Sequence, residues 1–573
     1  MVSNLVNQIG NLNPQMWREI KGRLKPRNIV ISVAISLLTQ LLIIQYFLSR
    51  LPVPPRLEEY TYQISNTYCT GKRPGGYYSA SLCLRDSLGN FIIRWELWNQ
   101  DLFVCLSWVG IFSLLVAGTY LLINDLSQEE RRGTLNFIRL SPQSNKNILI
   151  GKILGVPILL YLVILLVVPL HFWTGLSAQI PPGQILGFDC AVIACCILFY
   201  STALLYSLVS NWLGGFQSWL GSGVVLGFVW LNYLLTYSPF NSPLSWLRLL
   251  TPFDLIPNFL DSSFYKDHYN HLTLVDLQWY NLPIGENWAI LVSFSLLNFA
   301  LWSYWIWQGL NRCFRNPITT IFSKGQSYLL TACFQVSLIG FTVPGYTYEH
   351  LSAKDWLFQH FMFLCALNFL LFLVLIGILS PHRQVLHDWA RYRHQNQGKS
   401  LIKDLMFGEK SPALVAIGIN LGIAIALISI WSLTSRAKFE YQFATLVSLG
   451  FAFTLMMLYA VLTQLLLFVR IKNNIIWAMG ALSAAIFLPL IGLAVFQITP
   501  EKELGFLWYF SVLAPIGTYW EETSAIGIFV AALGQLTVVG ILTAQLTKKL
   551  RLAGESTTKA LLQERRALPS TNL

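Results

Sequence analysis

Long apolar segments alternate with short polar segments along nearly the whole chain. About twelve of the apolar segments are long enough to cross a hydrocarbon core of roughly 30 Å as helices. They begin near Ile29, Leu102, Ile148, Asp189, Gln217 and Trp288, and again near Ser327, Trp356, Pro412, Tyr441, Asn474 and Ser524. The pattern therefore predicts an all-α polytopic membrane protein with about 12 transmembrane helices.

The polar segments divide these helices into two groups of six. Residues 29–320 form the first predicted half and residues 321–551 the second, and residues 552–573 are predicted to be a flexible cytoplasmic tail. Leu513-Ala-Pro515 echoes Leu250-Thr-Pro252 before the last helix of each half. Since each half has an even number of spans, we expect two parallel six-helix pseudo-repeats related by an axis along the membrane normal.

Residues 1–28 precede the first apolar segment and contain a short amphipathic pattern. Trp17 and Ile20 lie on one face of the predicted helix, and Arg18 and Lys21 lie on the other. Such a pattern is typical of a helix that lies in the membrane interface. We therefore predict a cytoplasmic interfacial helix here.

Composition excludes a soluble globular protein. The chain is 54% hydrophobic and only 12% charged, and its mean hydropathy is +0.54. With the N-terminus inside, most of the 39 Lys and Arg residues fall in cytoplasmic segments, so the positive-inside rule predicts that both termini are cytoplasmic. The net charge of +12 favours anionic lipid headgroups as partners and does not indicate nucleic acid binding.

The largest predicted outer loop, residues 49–101, is rich in Pro and Gly and is expected to form a small extracytoplasmic cap. Cys69 and Cys83 both lie in it, so an oxidising compartment would allow a disulfide between them. Glu58 and Glu59 form an acidic pair there. A membrane-embedded lipid-linked glycosyltransferase would use such carboxylates, although a solvated loop explains them more simply.

A short polar helix is predicted over residues 127–141, between the second and third spans. Ser127 is its predicted N-cap, in a capping box with Glu130, and Ser141-Pro142 ends it because the residue before a proline avoids the α conformation. An apolar patch is expected beside the charged turn, formed by Leu135, Ile138 and Leu140. Lys152, just inside the third span, is expected to reach the lipid headgroups.

The order of residues in this stretch carries a family resemblance. Glu129-Glu130-Arg131-Arg132-Gly133-Thr134-Leu135, then Leu140-Ser141-Pro142 and Ile150-Gly151-Lys152, resembles the signature of type-2 ATP-binding-cassette (ABC-2) exporter permeases. The resemblance implies that residues 127–141 are a coupling helix that docks on a separate nucleotide-binding ATPase subunit.

The resemblance also implies the activity and its setting. The chain would be the transport subunit of an exporter in a bacterial plasma (inner) membrane and not itself an enzyme. ATP and Mg would bind to the partner ATPase, so no cofactor is expected on this chain. The expected cargo is lipid-like, glycan or otherwise amphipathic.

The second half has a comparable inner loop over residues 380–411. A short helix that begins with Ser400 as its cap and runs to Phe407 is predicted before Ser411-Pro412, and Lys403, Asp404 and Glu409 are its coupling candidates. The loop lacks the charged string of the first half. Its coupling role is therefore expected from its place in the chain alone.

Other classes of protein find less support. Gly398-Lys399-Ser400 resembles the end of a phosphate-binding loop, but Arg393 stands where the first glycine is required. The histidines and cysteines show no spacing typical of a metal site, and none is predicted.

A major-facilitator-like secondary carrier remains an alternative, although Arg131-Arg132 precede Gly133, the reverse of that family's loop order. The predicted spans hold amides and hydroxyls but no ionisable residue near their middle. Ion-coupled carriers usually keep such a residue, so its absence argues against this class.

Overall fold

The chain folds almost entirely into α-helices. The computed structural model describes residues 13–53, 64–71, 81–236, 241–259, 277–342, 352–395, 400–469, 474–500, 503–519 and 525–555. Within these residues, eleven helices are long and apolar enough to cross a membrane. The predicted class, an all-α polytopic membrane protein, is confirmed.

The first of two compact units comprises residues 1–241 and 245–315. Its helices are α1 (Pro14–Arg23), α2 (Pro26–Ser49), α3 (Trp95–Phe112), α4 (Gly118–Arg131), α5 (Thr134–Arg139), α6 (Asn145–Gly155), α7 (Ile158–Ser177), α8 (Pro182–Val209), α9 (Gln217–Thr236), α10 (Leu244–Arg248) and α11 (Trp288–Arg315). A π-turn (Ser113–Ala117), two 3-10 segments (Asn211–Phe216 and Pro252–Phe259) and a hairpin of β1 (Gln278–Trp279) with β2 (Leu282–Pro283) complete it.

The second unit comprises residues 316–573 together with 242–244. Its helices are α12 (Lys324–Ile339), α13 (Ala353–Leu379), α14 (Arg383–Gln395), α15 (Leu401–Phe407), α16 (Leu414–Leu433), α17 (Phe439–Phe468), α18 (Asn474–Val495), α19 (Ala514–Thr518) and α20 (Ala525–Gly554). Two 3-10 segments, Gly340–Thr342 and Glu503–Phe510, lie between them. The parallel arrangement of two pseudo-repeats stays a prediction.

Two of the twelve predicted spans are too short or are interrupted in the structure. The seventh is α12, which has only 16 residues and is not among the eleven candidates. The third is divided at Pro157 into α6 and α7. Proline has no N–H to donate to Ile153 O, and the Tyr161 hydroxyl donates to that carbonyl instead, at 2.8 Å.

The second span is much longer than predicted. Residues Trp95–Arg131 form one continuous helix through α3, the π-turn and α4. The Tyr200 hydroxyl donates to Leu114 O at 2.8 Å within the π-turn. A helix of 37 residues is about 55 Å long at 1.5 Å per residue, whereas the hydrocarbon core is roughly 30 Å thick. The helix is therefore longer than an untilted crossing of the apolar layer requires.

The predicted cap lies at the opposite end of this long helix. We call this end the cap end of the first unit. It contains the expected disulfide between Cys69 and Cys83. The loop ends before Trp95, where α3 begins, and not at residue 101. Glu58 and Glu59 lie outside the described residues, as do residues 556–573 of the predicted tail.

Candidate functional site at the N-terminal face

The N-terminal helix α1 packs closely against α6. Two glycines one helical turn apart, Gly151 and Gly155, allow this approach: an added Cβ would lie 2.7 Å from Asn13 Oδ1 and 2.6 Å from Glu19 Cβ respectively. The Asn13 side chain also donates to Asn147 O at 2.7 Å. We call the end of the first unit formed by α1, α5, α6 and the end of α4 the N-terminal face.

The buried side of α1 is polar. Gln15 and Glu19 are its buried residues, and the Gln15 amide donates to Glu19 Oε1 at 3.0 Å. Of the four predicted interfacial residues, the apolar pair is half-buried and the basic pair is exposed: Trp17, Ile20, Arg18 and Lys21. The helix lies where the sequence predicts it, but its most buried contacts are with protein through polar groups.

Lys152 is the centre of this face, and it is fully buried. Its Nζ lies 2.7 Å from Asp125 Oδ2, 2.7 Å from Glu129 Oε2 and 3.8 Å from Glu19 Oε1. The Asp125 contact is a hydrogen bond, whereas the Glu129 contact is an ion pair by distance without good hydrogen-bond alignment. The sequence predicts that Lys152 reaches the lipid headgroups. The structure shows instead that it is buried within the protein.

Two arginines of α1 complete the cluster. Arg18 Nη2 lies 2.6 Å from Glu129 Oε1, and Arg23 Nη2 pairs with Asp125 and, at 3.5 Å, with Glu19. Three cationic and three anionic side chains thus balance. We call these six residues the charge clamp: Arg18, Glu19, Arg23, Asp125, Glu129 and Lys152.

The electrostatics keep Lys152 charged. Burial disfavours the ammonium, but the attraction of Asp125, Glu129 and Glu19 outweighs burial and raises the pKa of Lys152. The clamp therefore joins α1, α4 and α6 through permanent charges.

The three carboxylates of the clamp have the proximity of a metal-binding group. One oxygen from each of Glu19, Asp125 and Glu129 lies within 4.8 Å of the others. The Lys152 ammonium, however, occupies the position among them that a cation would take. The arrangement fits an internal ion-pair network better than a metal centre.

The coupling helix predicted over residues 127–141 begins later than expected. Ser127 lies inside α4, where its hydroxyl donates to Asn124 O at 3.0 Å, and it caps nothing. The helix ends at Gly133, whose φ of +72° is unfavourable for residues with a side chain. The Thr134 hydroxyl then donates to Glu129 O at 3.0 Å, which satisfies a terminal carbonyl.

This boundary changes the role of the acidic residues. Glu129 belongs to the end of the second span, and its carboxylate is paired within the charge clamp. Its role in coupling stays a prediction. Glu130 is half-buried, and its charge acts on Arg139. The exposed charges of the string are those of Arg131 and Arg132.

The short helix α5 has one buried side and one exposed side. Leu135 and Ile138 are buried, as predicted for an apolar seat. Leu140 is 83% exposed and is not part of that seat, and Phe137, which the sequence analysis did not single out, is 78% exposed. We call Arg131, Arg132, Phe137 and Leu140 the exposed loop surface.

The end of the loop is built as the sequence suggests. Residue 140 closes α5, and the Ser141 N–H donates to Ile138 O at 3.1 Å immediately before Pro142. Ser144 then caps α6 by accepting from Asn147 N at 3.2 Å. Both ends of the loop are therefore fixed by local hydrogen bonds.

The second unit has its own short loop helix, α15, capped by Ser400 as predicted. Lys324, the first residue of α12, is 3% exposed and donates to Leu405 O at 2.8 Å, Ser411 Oγ at 2.6 Å and Pro412 O at 3.0 Å. Burial lowers the pKa of Lys324 to about 8, although Asp404 partly opposes this effect. A neutral oxygen cage thus anchors this loop.

The coupling candidates of the second unit are divided. Asp404 accepts from the Trp389 indole N–H at 2.5 Å and is therefore held within the chain, whereas Lys403 and Glu409 are exposed. The most exposed apolar side chain of α15 is Ile402, at 70%. Leu401 and Phe407 are also exposed.

An ionisable pair within the spans was missed by sequence reasoning. His171 Nδ1 in α7 lies 4.0 Å from Asp189 Oδ1 in α8, and His171 Nε2 lies 2.9 Å from Ser107 Oγ in α3. Both ionisable residues are about two helical turns from the cap end of their helices. The hydrophobic pattern predicts a span that begins near Asp189. Because α8 begins at Pro182, Asp189 lies inside the helix and not at its start.

Comparison of the chain with protein-family models, with curated proteins and with solved structures found no match.

Proposed function

We propose that the chain is the transmembrane permease subunit of an ATP-driven exporter of the ABC-2 type. It moves a lipid-like, glycan or other amphipathic cargo out of the cytoplasm by alternating access, while a separate ATPase subunit binds ATP and Mg. In this proposal the membrane is a bacterial plasma membrane and both termini are cytoplasmic. The observation that carries it is the exposed loop surface beside the charge clamp.

This surface has the composition of a protein-binding site. A loop that only contacts water has no need for two strongly exposed apolar side chains, Phe137 and Leu140. Aromatic and arginine residues are enriched where proteins bind one another, because they combine apolar area with directed hydrogen bonds. The guanidinium groups of Arg131 and Arg132 favour an acidic groove on the partner.

The neighbouring contacts supply a route for coupling. Leu135 and Ile138 seat α5 in the unit, α4 is continuous with a span, and Lys152 joins α4 to α6. A force on the exposed loop surface therefore acts on two membrane helices at once. Coupling requires such an element, whose position both the partner and the transport path bias.

The proposal is tested with Arg132→Glu and Phe137→Ala in vesicles reconstituted with an ATPase subunit that co-purifies with the wild-type chain from its native membrane. We expect both variants to fold, because exposed charges contribute only about 0–1 kcal/mol per pair. We expect at least a tenfold loss of cargo-stimulated ATP hydrolysis, since an anchoring residue is typically worth about 2 kcal/mol or more.

Arg436→Glu is the matched control, because Arg436 is equally exposed but lies in the α16–α17 connection of the second unit. It should retain wild-type hydrolysis and export. Full coupling in both loop variants would contradict the proposal, and so would an ATPase that binds the wild-type chain and the loop variants equally well.

The His171–Asp189 pair favours a second candidate, an ion-coupled secondary carrier, because ionisable residues inside a membrane are costly and usually functional. The two candidates separate in sealed vesicles. An exporter driven by ATP continues to work when a protonophore removes the proton gradient. A carrier coupled through His171 stops, and its His171→Gln variant becomes insensitive to the gradient.

A further inference from the structure

A polar cavity of about 470 Å³ lies at the cap end of the first unit. It is enclosed by the start of α3, the α7–α8 connection, and the end of the 3-10 segment Pro252–Phe259. Its volume falls within the range of about 300–1,000 Å³ that is typical of small-molecule sites. The polar side chains that line it are Arg94, Glu96, Gln100, Gln179, Gln184 and Asn258.

The lining is electrically balanced. One guanidinium and one carboxylate offset each other, and the remaining polar groups are amides, each of which both donates and accepts hydrogen bonds. A phosphate site would instead need an excess of cationic donors. Hydroxyl groups donate and accept at the same atom, so a neutral polyhydroxylated ligand matches this lining best.

The cavity is held open by specific contacts. The Gln100 amide donates to Phe259 O and so ties α3 to the 3-10 segment. The Phe259 ring packs edge-on against Phe103 and Phe188, with centroid distances of 5.2 and 5.6 Å. The floor is therefore rigid, which lowers the entropic cost of ordering a ligand.

The mouth of the cavity contains a strained residue. Gln179 has a φ of +60°, the left-handed conformation that glycine usually adopts after a helix. This conformation is unfavourable for a residue with a side chain. The Gln179 amide donates to Glu96 Oε1 across the mouth, so the side chain in this unfavourable position is used to build the cavity.

Arg94 adds an unsatisfied donor. Its Nε is buried and has no hydrogen-bond partner among the residues that the structure describes, while its Nη2 reaches Ser81 Oγ only at 3.5 Å. A buried donor without a partner is costly, so this Nε is a structural cost of the cavity wall and not a contact offered to a ligand.

We propose that this cavity binds a neutral sugar group, supplied either by the headgroup of a glycolipid or by a free oligosaccharide. That the sugar is the transported cargo rests on the proposed export function. The binding itself is measured without any ATPase. A failure of sugar binding therefore leaves the coupling proposal standing, and a failure of coupling leaves the binding result intact.

The test uses the full chain in lipid nanodiscs. Saturation-transfer NMR measures binding of maltose and of N-acetylglucosamine, with inorganic phosphate and glycerol 3-phosphate as anionic competitors. Native mass spectrometry measures retention of diglucosyl-diacylglycerol against phosphatidylglycerol. Gln184→Leu removes one amide from the wall at nearly constant volume, and Gln384→Leu makes the same change on the exposed side of α14 as a control.

We expect saturable binding of a sugar or of the glycolipid. Gln184→Leu should weaken it about fivefold to tenfold, the loss expected for one or two hydrogen bonds, and the control should leave it unchanged. Glycolipid binding without free-sugar binding identifies the lipid as the source. Binding of phosphate in preference to every sugar overturns the proposal, as does sugar binding that Gln184→Leu does not affect or the absence of any binding.

Discussion

The two units each bury a lysine beside a short loop helix, but in opposite surroundings. Lys152 lies among three carboxylates, whereas Lys324 lies among two backbone carbonyls and the Ser411 hydroxyl. The attraction of the carboxylates raises the pKa of Lys152, and burial lowers that of Lys324 to about 8. The same residue type therefore serves two different kinds of anchor.

The difference shows what each loop is attached to. The partners of Lys152 come from α1 and α4, so the charge clamp joins three helices across the N-terminal face. The partners of Lys324 all come from residues 405–412, so its cage fixes one loop to the start of α12. The first lysine therefore joins helices that are distant along the chain, and the second fixes a single loop.

The largest effect is expected from Lys152→Met. This change leaves the carboxylates of Glu19, Asp125 and Glu129 together without their central cation. Removing one partner of a buried ion pair typically costs about 3–5 kcal/mol. We expect the variant to lose about that much free energy of unfolding, measured by titration with denaturing detergent, and α1 to become sensitive to protease.

Two further variants sharpen this prediction. Lys146→Met removes an exposed lysine from the same helix and should change stability by less than about 0.5 kcal/mol. Adding Asp125→Asn and Glu129→Gln to Lys152→Met removes the uncompensated charges, so part of the lost stability should return. If Lys152→Met unfolds like wild type, the charge clamp is not an anchor.

A smaller effect is expected from Lys324→Met. The variant leaves neutral acceptors, chiefly Leu405 O and Pro412 O, and an unmade hydrogen bond to such groups costs about 1–3 kcal/mol. The loss should be confined to the α15 loop, measured as faster proteolysis between Ser400 and Ser411. Lys410→Met, an exposed neighbour, is the control. A loss as large as that of Lys152→Met would mean that the two anchors do not differ.

The last prediction concerns the pH dependence of the second anchor. The ordinary lysine pKa is 10.5, and that of Lys324 in the folded protein is about 8. Between these values the unfolded chain holds a proton that the folded chain has lost, so stability rises with pH across this interval. Wild type should therefore gain up to about 3 kcal/mol relative to Lys324→Met between pH 7.5 and 10.5.

The pH dependence of stability that is due to Lys152 has the opposite sign. Its pKa is raised, so its contribution is complete below pH 10.5 and is lost only as the pH rises further. The stability difference between wild type and Lys152→Met should thus stay constant where that of Lys324→Met changes. If neither stability difference changes with pH, the Lys324 cage stabilises the charged ammonium as well as the carboxylates around Lys152 do.

Some features were predictable because they are local or set by the membrane. The predicted starts of three spans coincide with the starts of α9, α11 and α18 at Gln217, Trp288 and Asn474. A long apolar segment has few alternatives to a helix, since its backbone groups must pair within the segment. The Ser400 cap and the Cys69–Cys83 disulfide were also predictable, because both join residues that are close along the chain.

Local rules failed where a second element decides the outcome. Ser127 has the sequence of a capping residue, but the contacts of α4 with its neighbours carry the helix on to Arg131. Leu140 has the spacing of a buried residue, yet α5 is too short to bury more than Leu135 and Ile138. Propensity is a weak guide once tertiary packing competes with it.

The hydrophobic pattern alone is enough to identify a helical membrane protein, to locate most of its spans and to find a charged loop after the second span. The contacts that the charged residues make depend on the tertiary structure. Lys152 lies 27 residues from Asp125 along the chain, and Glu19 is more distant still. Their meeting depends on the close approach of α1 to Gly151 and Gly155 and on the length of the second span. Electrostatic pairing acts only over a few ångströms, so it follows from which helices pack together and cannot be read from spacing along the chain.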